Sequence, residues 1–363
     1  MYSICTERPD MVEFLLKCGC EADEHDRFGK TALHFAVTNN STDCLKLLLD
    51  YGADVHSIEE LGRTPLWVAA SEDGHHGAIV CLLEAGADVN LRDRREKRTP
   101  LHVRRYADEM AAIRHTKKDT ILYLKTFLES GSVVNTIDES GHSPLSTLIQ
   151  NGSMFSPVTK NTIIMAKMLL AAGFDVNLSK PSAPRQLYGT ALKAAVNRGS
   201  LDLVNLLLES GADPDIHDQR CVTPLIWSAF HNQLDISKSL IAANCNLDTV
   251  GRIYVSHEFH HATALHCALL LEHFHVAKLL VSAGCSLRFE AYLITNEDIP
   301  MVLVENFEFW GWLRDIATNT RPLSEICQKA IRKTIGFNLS SKVEHLPLPT
   351  KLKHHILLSD VLA

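Results

Sequence analysis

No stretch of this 363-residue chain is apolar for the roughly 18 or more residues that a membrane helix needs, so no bilayer span is expected. The opening MYSICTERPD lacks the regions that make a signal peptide. Positive charge is in deficit: 36 Lys and Arg face 43 Asp and Glu, a formal net charge of −7, which excludes a nucleic-acid binder by bulk electrostatics. The ten cysteines contain no C-x-x-C, and their one close pair, Cys18 and Cys20, does not have zinc-knuckle spacing. Without a secretory signal they read as reduced thiols of a cytosolic or nuclear protein. There is no P-loop, no G-x-S-x-G and no Rossmann glycine pattern, so neither an enzyme nor a cofactor is expected. What is present, 46% hydrophobic and 22% charged residues, is ordinary for a folded chain long enough for a large core or a repeat array.

One phrase recurs along that chain. It reads TALHFA at Thr31, TPLWVA at Thr64, TPLHVR at Thr99, SPLSTL at Ser143, TALKAA at Thr190, TPLIWS at Thr223 and TALHCA at Thr263. A second phrase follows each copy, from LLLDYGADV to LLVSAGCSL, and a copy without its partner, FLLKCGCEAD, stands near the N-terminus. Thr or Ser is placed to cap a first helix by accepting a backbone N–H, and Pro in the next position has no N–H to leave unpaired. The Leu pairs of the second phrase recur at helical spacing. Gly after them supplies a left-handed turn, with Asn244 in its place in one unit. Each unit buries its apolar face only by stacking, which predicts an all-α solenoid with hairpin fingers and one continuous core. These phrases resemble the ankyrin repeat, whose signature is T-P-L-H-x-A at a period of about 33.

Spacing marks where this array departs from regularity. From capping residue to turn residue the count is 21 in four units, but 32 from Thr99 to Gly131 and 30 from Ser143 to Gly173. The connection from Asn244 to Thr263 is the longest, and it holds a literal H-E-x-x-H: His257, Glu258 and His261. In a zinc protease that motif lies on a helix. Here it precedes the capping Thr263, and Ala264 and Cys267 stand where an extended signature wants Gly and a third His. The reading is a projecting finger with no metal. His34, His102 and His266 belong to the recurring phrase and are read as hydrogen bonds tying one hairpin to the next.

Periodicity stops after Gly284. A connector rich in aromatics (Phe307, Phe309, Trp310, Trp312) is read as packing the last repeat against the C-terminal segment. That segment opens with RPLSEICQKAIRKTIG, in which Leu323, Cys327 and Ile331 form an apolar stripe at spacing four. After a spacer, Leu346-Pro347-Leu348-Pro349 is a rigid extended segment, and a second amphipathic stretch carries Leu352, Ile356 and Leu357. About forty residues cannot bury both helices on themselves. A helical cap on the end of the solenoid is one reading of this tail.

The other reading is a resemblance. Pro322, Leu323, Cys327 and Ile331 match the elongin-binding half of a SOCS box, and Leu346, Pro347, Leu348 and Pro349, followed by a helix containing Leu352, match its cullin-binding half. Ankyrin repeats joined to such a box resemble the ankyrin-repeat and SOCS-box family. That resemblance implies a non-catalytic substrate adaptor of a cullin-5 ubiquitin ligase, with elongin B, elongin C, cullin-5 and its RING-box protein as partners and an unknown protein as substrate. His355 stands near a position where the family often has Tyr, which implies an altered cullin affinity. A plain ankyrin scaffold is the competing class. The division expected is a partial repeat over 1–24, seven repeats over 25–290 with insertions near 103–120, 150–162, 174–189 and 245–262, an aromatic connector over 291–318, and the SOCS box over 319–363. Residues 92–118 hold ten Lys/Arg against four Asp/Glu. Arg94, Arg95, Arg98, Arg104 and Arg105 are therefore candidate contacts for an acidic segment of the target, although a solvated helix edge has the same charge pattern.

Overall fold

The computed structural model describes residues 8–72, 75–102, 119–150, 158–178, 190–255 and 258–286, together with Glu308 and Gly311. The described elements alternate short and longer helices in the order of the two phrases. A single helix α1 (Pro9–Lys17) comes first. The pairs α2 (Ala32–Thr38) with α3 (Thr42–Asp50) and α4 (Pro65–Ser71) with α5 (His76–Glu84) come next. A 3-10 turn at Pro100–His102 precedes α6 (Asp119–Glu129), and α7 (Pro144–Gln150) precedes α8 (Lys160–Ala171). Then come α9 (Ala191–Asn197) with α10 (Leu201–Glu209) and α11 (Pro224–Phe230) with α12 (Leu234–Ala242). After the strands β1 (Gly251–Val255) and β2 (Glu258–Ala262), α13 (Ala264–Leu270) and α14 (Phe274–Ser282) close the described array.

The recurring hydroxyl starts the first helix of each pair for the expected reason. Thr64, Thr190, Thr223 and Thr263 each accept, through Oγ1, the backbone N–H three residues on, at 3.1 to 3.3 Å. Ser143 and Ser146 do so reciprocally: each amide donates to the other's hydroxyl. After the second helices the backbone turns left-handed, at φ +84° for Gly52, +88° for Gly211 and +64° for Asn244, the substitution expected to be tolerated there.

The chain divides into two compact units, Met1–Arg185 and Gln186–Ala363, and the division falls inside the insertion near 174–189. In the first unit, Leu33, Leu45, Leu48, Leu66, Ile79 and Leu82 are fully buried in one cluster that Phe127 of α6 joins. In the second, Leu192, Leu203, Leu207, Leu225, Leu240, Leu265, Val276 and Leu280 play the same part. Each such side chain contributes roughly 1.5–3 kcal/mol on burial, and the helices touch both their own partner and the helices of adjacent pairs. Tyr123 ties α6 to the connection between α4 and α5, accepting the His75 amide at 2.9 Å and donating to the Glu72 carbonyl at 3.2 Å.

Between helix pairs the backbone runs out into fingers that bond to one another. Glu60 N–H donates to the Phe28 carbonyl (2.9 Å), Arg94 N–H to Leu61 (2.8 Å), and Glu139 N–H to Glu96 (2.8 Å). In the second unit Arg252 N–H donates to Arg220 (2.7 Å). A second ladder runs at the base of the fingers. There Asp23, Asn90, Asn135 and Asp215 each accept, through a side-chain oxygen, a backbone amide of the next unit at 2.7 or 2.8 Å.

This close approach sets a requirement at Gly62. Its φ is +75°, and a Cβ added there would stand 2.8 Å from the Arg94 backbone nitrogen. Gly52 has a similar φ, +84°, but nothing lies within 4 Å. Gly52→Ala is expected to cost about 1–2 kcal/mol, the left-handed penalty alone. Gly62→Ala is expected to cost clearly more in urea denaturation, because the finger must move off its neighbour; equal costs would contradict the finger ladder.

Candidate functional site

The fingers project from a buried polar layer that fixes them. His34 is the plainest case. Thr31 N–H donates to its Nδ1 (3.2 Å), and its Nε2–H donates to the Arg63 carbonyl of the next finger (3.0 Å). An amide can only donate and a carbonyl can only accept, so the ring is neutral with its proton on Nε2. Burial holds its pKa below the ordinary value in agreement with this. The reading of the phrase histidine as a tie between hairpins is met here. His102 repeats the inner half of the arrangement, with Thr99 N–H donating to Nδ1 at 3.3 Å.

Acidic residues close the fingers from inside. Asp26, Asp93, Asp138 and Asp218 accept amides of their own fingers. Asp138 also receives Arg98 Nε at 2.9 Å. Burial opposes ionisation of Asp138, but the His142 side chain and amide and the Arg98 guanidinium outweigh it and hold the carboxyl at about 2. In the second unit Lys193 stands where His34 stands in the first. Its side chain is 3% exposed, and the ammonium lies 2.5 Å from Asp218 Oδ2 and 5.1 Å from the Trp227 ring centre. Burial lowers the Lys193 pKa against the pull of Asp218. Sequence reading passed over this pair; its only trace is Lys in place of His within TALKAA.

The candidate arginines separate into two kinds. Arg98 is half-buried and bonds Asp138 and Glu96 (2.6 Å), while its carbonyl accepts Trp67 Nε1 at 3.3 Å. Its charge is committed to the fold. Arg94 and Arg95 are exposed on the same finger with Arg92 and Lys97, and Arg94, Arg95 and Lys97 form no ion pair among the described residues. Arg104 and Arg105 lie outside the described residues, as do Pro322, Leu323, Cys327, Ile331, Leu346, Pro347, Leu348, Pro349 and Leu352.

The H-E-x-x-H segment is a strand. Glu258–Ala262 pairs antiparallel with Gly251–Val255, with Tyr254 opposite Phe259 and Arg252 opposite His261. His257 lies outside the described residues, but Glu258 and His261 do not share a helical face, which is what the protease chemistry requires. The hairpin had a sequence signal, the alternation of outward Arg252 and Tyr254 with inward Gly251 and Ile253. No helix among the described residues is long and apolar enough to cross a membrane.

Comparison with known proteins agrees with this architecture and extends beyond the described residues. The family described as "Ankyrin repeats (3 copies)" matches residues 1–93, 158–250 and 192–290, and the family "SOCS box" matches residues 319–357. Human ankyrin repeat and SOCS box protein 6 is 28% identical over 342 residues, 90% of this chain and 73% of its own. Human ankyrin repeat and SOCS box protein 16 is 27% identical over 354 residues, 96% and 71% of the two chains. The mouse B-cell lymphoma 3 protein homolog is 30% identical over 228 residues, covering 61% and 45%. Among solved structures, the ankyrin repeat domain of Bcl-3 aligns with a TM-score of 0.46 at 24% identity, covering 62% of this chain and 91% of that one.

The polar layer also makes stability depend on pH. Burial, against the pull of Asp138, lowers the His102 pKa from 6.5 to about 4. As pH falls the unfolded chain takes up this proton near 6.5 and the folded chain only near 4. The stability contributed by the neutral ring is therefore complete above 6.5 and lost progressively between 6.5 and about 4. His102→Gln should flatten the denaturation free energy across that window relative to wild type; an unchanged slope would contradict the buried, neutral ring.

Proposed function

This chain belongs to the ankyrin repeat and SOCS box family, and we propose on that premise that it is the substrate-recognising adaptor of a cullin-5 RING ubiquitin ligase. The finger surface binds a target protein, and residues 319–357 recruit elongin B and elongin C and then cullin-5 with its RING-box protein. The observation that carries this reading is the joining, in one chain, of a repeat array with a matched SOCS box. The fingers support the first half of it. Regular hydrogen bonds fix their bases, while their tips differ in charge and length from unit to unit, which is how a repeat scaffold presents a specific surface.

Pro322, Leu323, Cys327 and Ile331 are assigned the elongin contact and Leu346 to Pro349 with Leu352 the cullin contact. An apolar anchor at the centre of an interface commonly costs about 2 kcal/mol or more when truncated. Leu323→Ala combined with Cys327→Ala should thus lower elongin C recovery by about tenfold or more and leave the array folded. Leu346→Ala with Pro347→Ala and Pro349→Ala should keep elongin and lose cullin, because the prolines hold a segment that need not be ordered on binding. A folded first variant that recovers elongin C normally would overturn the adaptor reading. Unfolding of the whole chain by that variant would instead make residues 319–357 a structural cap.

A further inference from the structure

The β1–β2 hairpin has a second face that the repeat does not use. Gly251, Ile253 and Ala262 are buried. A Cβ at Gly251 would meet the Cys221 carbonyl at 2.9 Å, so the start of β1 lies directly on the preceding finger. By the two-residue alternation of a strand, Arg252, Tyr254, Phe259 and His261 turn the other way. Tyr254 is 50% and Phe259 47% exposed, with ring centres 4.9 Å apart. Arg252 lies 4.4 Å from the centre of the Phe259 ring, and Arg220 of the preceding finger 5.4 Å from the same ring. The Arg252 amide bonded to the Arg220 carbonyl fixes the two arginines on one base.

A cross-strand aromatic pair stabilises a hairpin, and that explains the contact of Tyr254 with Phe259. It does not explain two guanidiniums gathered on one exposed ring. A guanidinium that meets a ring through its face keeps the N–H edge available, in the fork geometry that matches a carboxylate. Neither Arg220 nor Arg252 forms an ion pair with another described residue. In a chain of net charge −7, positive charge without an ion-pair partner among the described residues, beside an exposed aromatic pair, is complementary to a ligand with negative charge next to apolar surface.

We infer that the outward face of this hairpin, together with Arg220, is a docking site for an acidic segment of the target protein. Carboxylates meet the edges of Arg220 and Arg252, and a neighbouring apolar side chain covers Tyr254 and Phe259. The hairpin thus names a class of target for the receptor reading on which it rests. Peptide binding needs neither elongin nor cullin, so the two readings fail separately.

The test is selection of a displayed random-peptide library on the full chain, followed by fluorescence anisotropy with the enriched peptides. Enrichment of peptides with Asp or Glu beside an aromatic or aliphatic residue is expected. Arg220→Glu with Arg252→Glu should weaken their binding by about tenfold or more, as should Phe259→Ala, and rising salt should weaken it in the wild type. Arg220→Lys with Arg252→Lys keeps the charge and loses the fork, so it should give an intermediate loss, and it serves should the reversed variant not fold. Lys46→Glu, a charge reversal at an exposed position of α3, should change nothing, and Arg94→Glu with Arg95→Glu tests the rival basic finger. Three results would each overturn the inference: enrichment without acidic residues, no enrichment at all, or binding that responds to Arg94 and Arg95 but not to the hairpin.

Discussion

A pair of helices as short as the seven residues of α9 and the nine of α10 cannot hold its shape in water, because isolated helices below roughly 12–15 residues are marginal even with favourable sequences. Each described helix pair faces that constraint, and the answer is the same each time. The helices are held by what they press against in adjacent units, through Leu33, Leu66 and Ile79 in the first compact unit and Leu192, Leu225 and Leu265 in the second. Stacking brings the connecting backbone of successive units close together, and that closeness makes the finger ladder possible. The ladder leaves the finger tips at the surface.

Much of this was legible in the sequence because it comes from local chemistry. The Thr and Ser caps, the left-handed Asn244 and the tie made by His34 each depend on residues close in sequence or at fixed offsets, and a recurring phrase displays them. What depends on the neighbouring unit was harder to see. Lys193 reads as a surface lysine until the aspartate 25 residues away is placed beside it. Arg98 counts as positive charge in a composition window, yet Asp138 and Glu96 bond it. The aromatic pair of the hairpin was hidden by the histidine motif that overlaps it, although the period-two alternation was there to be read.

These differences divide the molecule by role. Residues that repeat maintain the stack. Among the residues that break the pattern, Lys193 is buried, but Arg94, Arg95 and Lys97 of the basic finger and Arg252, Tyr254, Phe259 and His261 of the hairpin are outward and distinguish this chain from a generic array. The matched SOCS box at residues 319–357 has a separate part in the proposed function, so the ankyrin surface is left to vary with the target. An adaptor needs this separation, because changes in the target surface must not disturb recruitment of the ligase.

Hydrogen exchange of the full chain with and without elongin B and elongin C measures that independence directly. New protection is expected only in peptides from residues 319–357, with the finger amides of Glu60, Arg94, Glu139 and Arg252 exchanging as they do in the free chain. Protection that appears in the fingers on elongin binding, or none at residues 319–357, would contradict it.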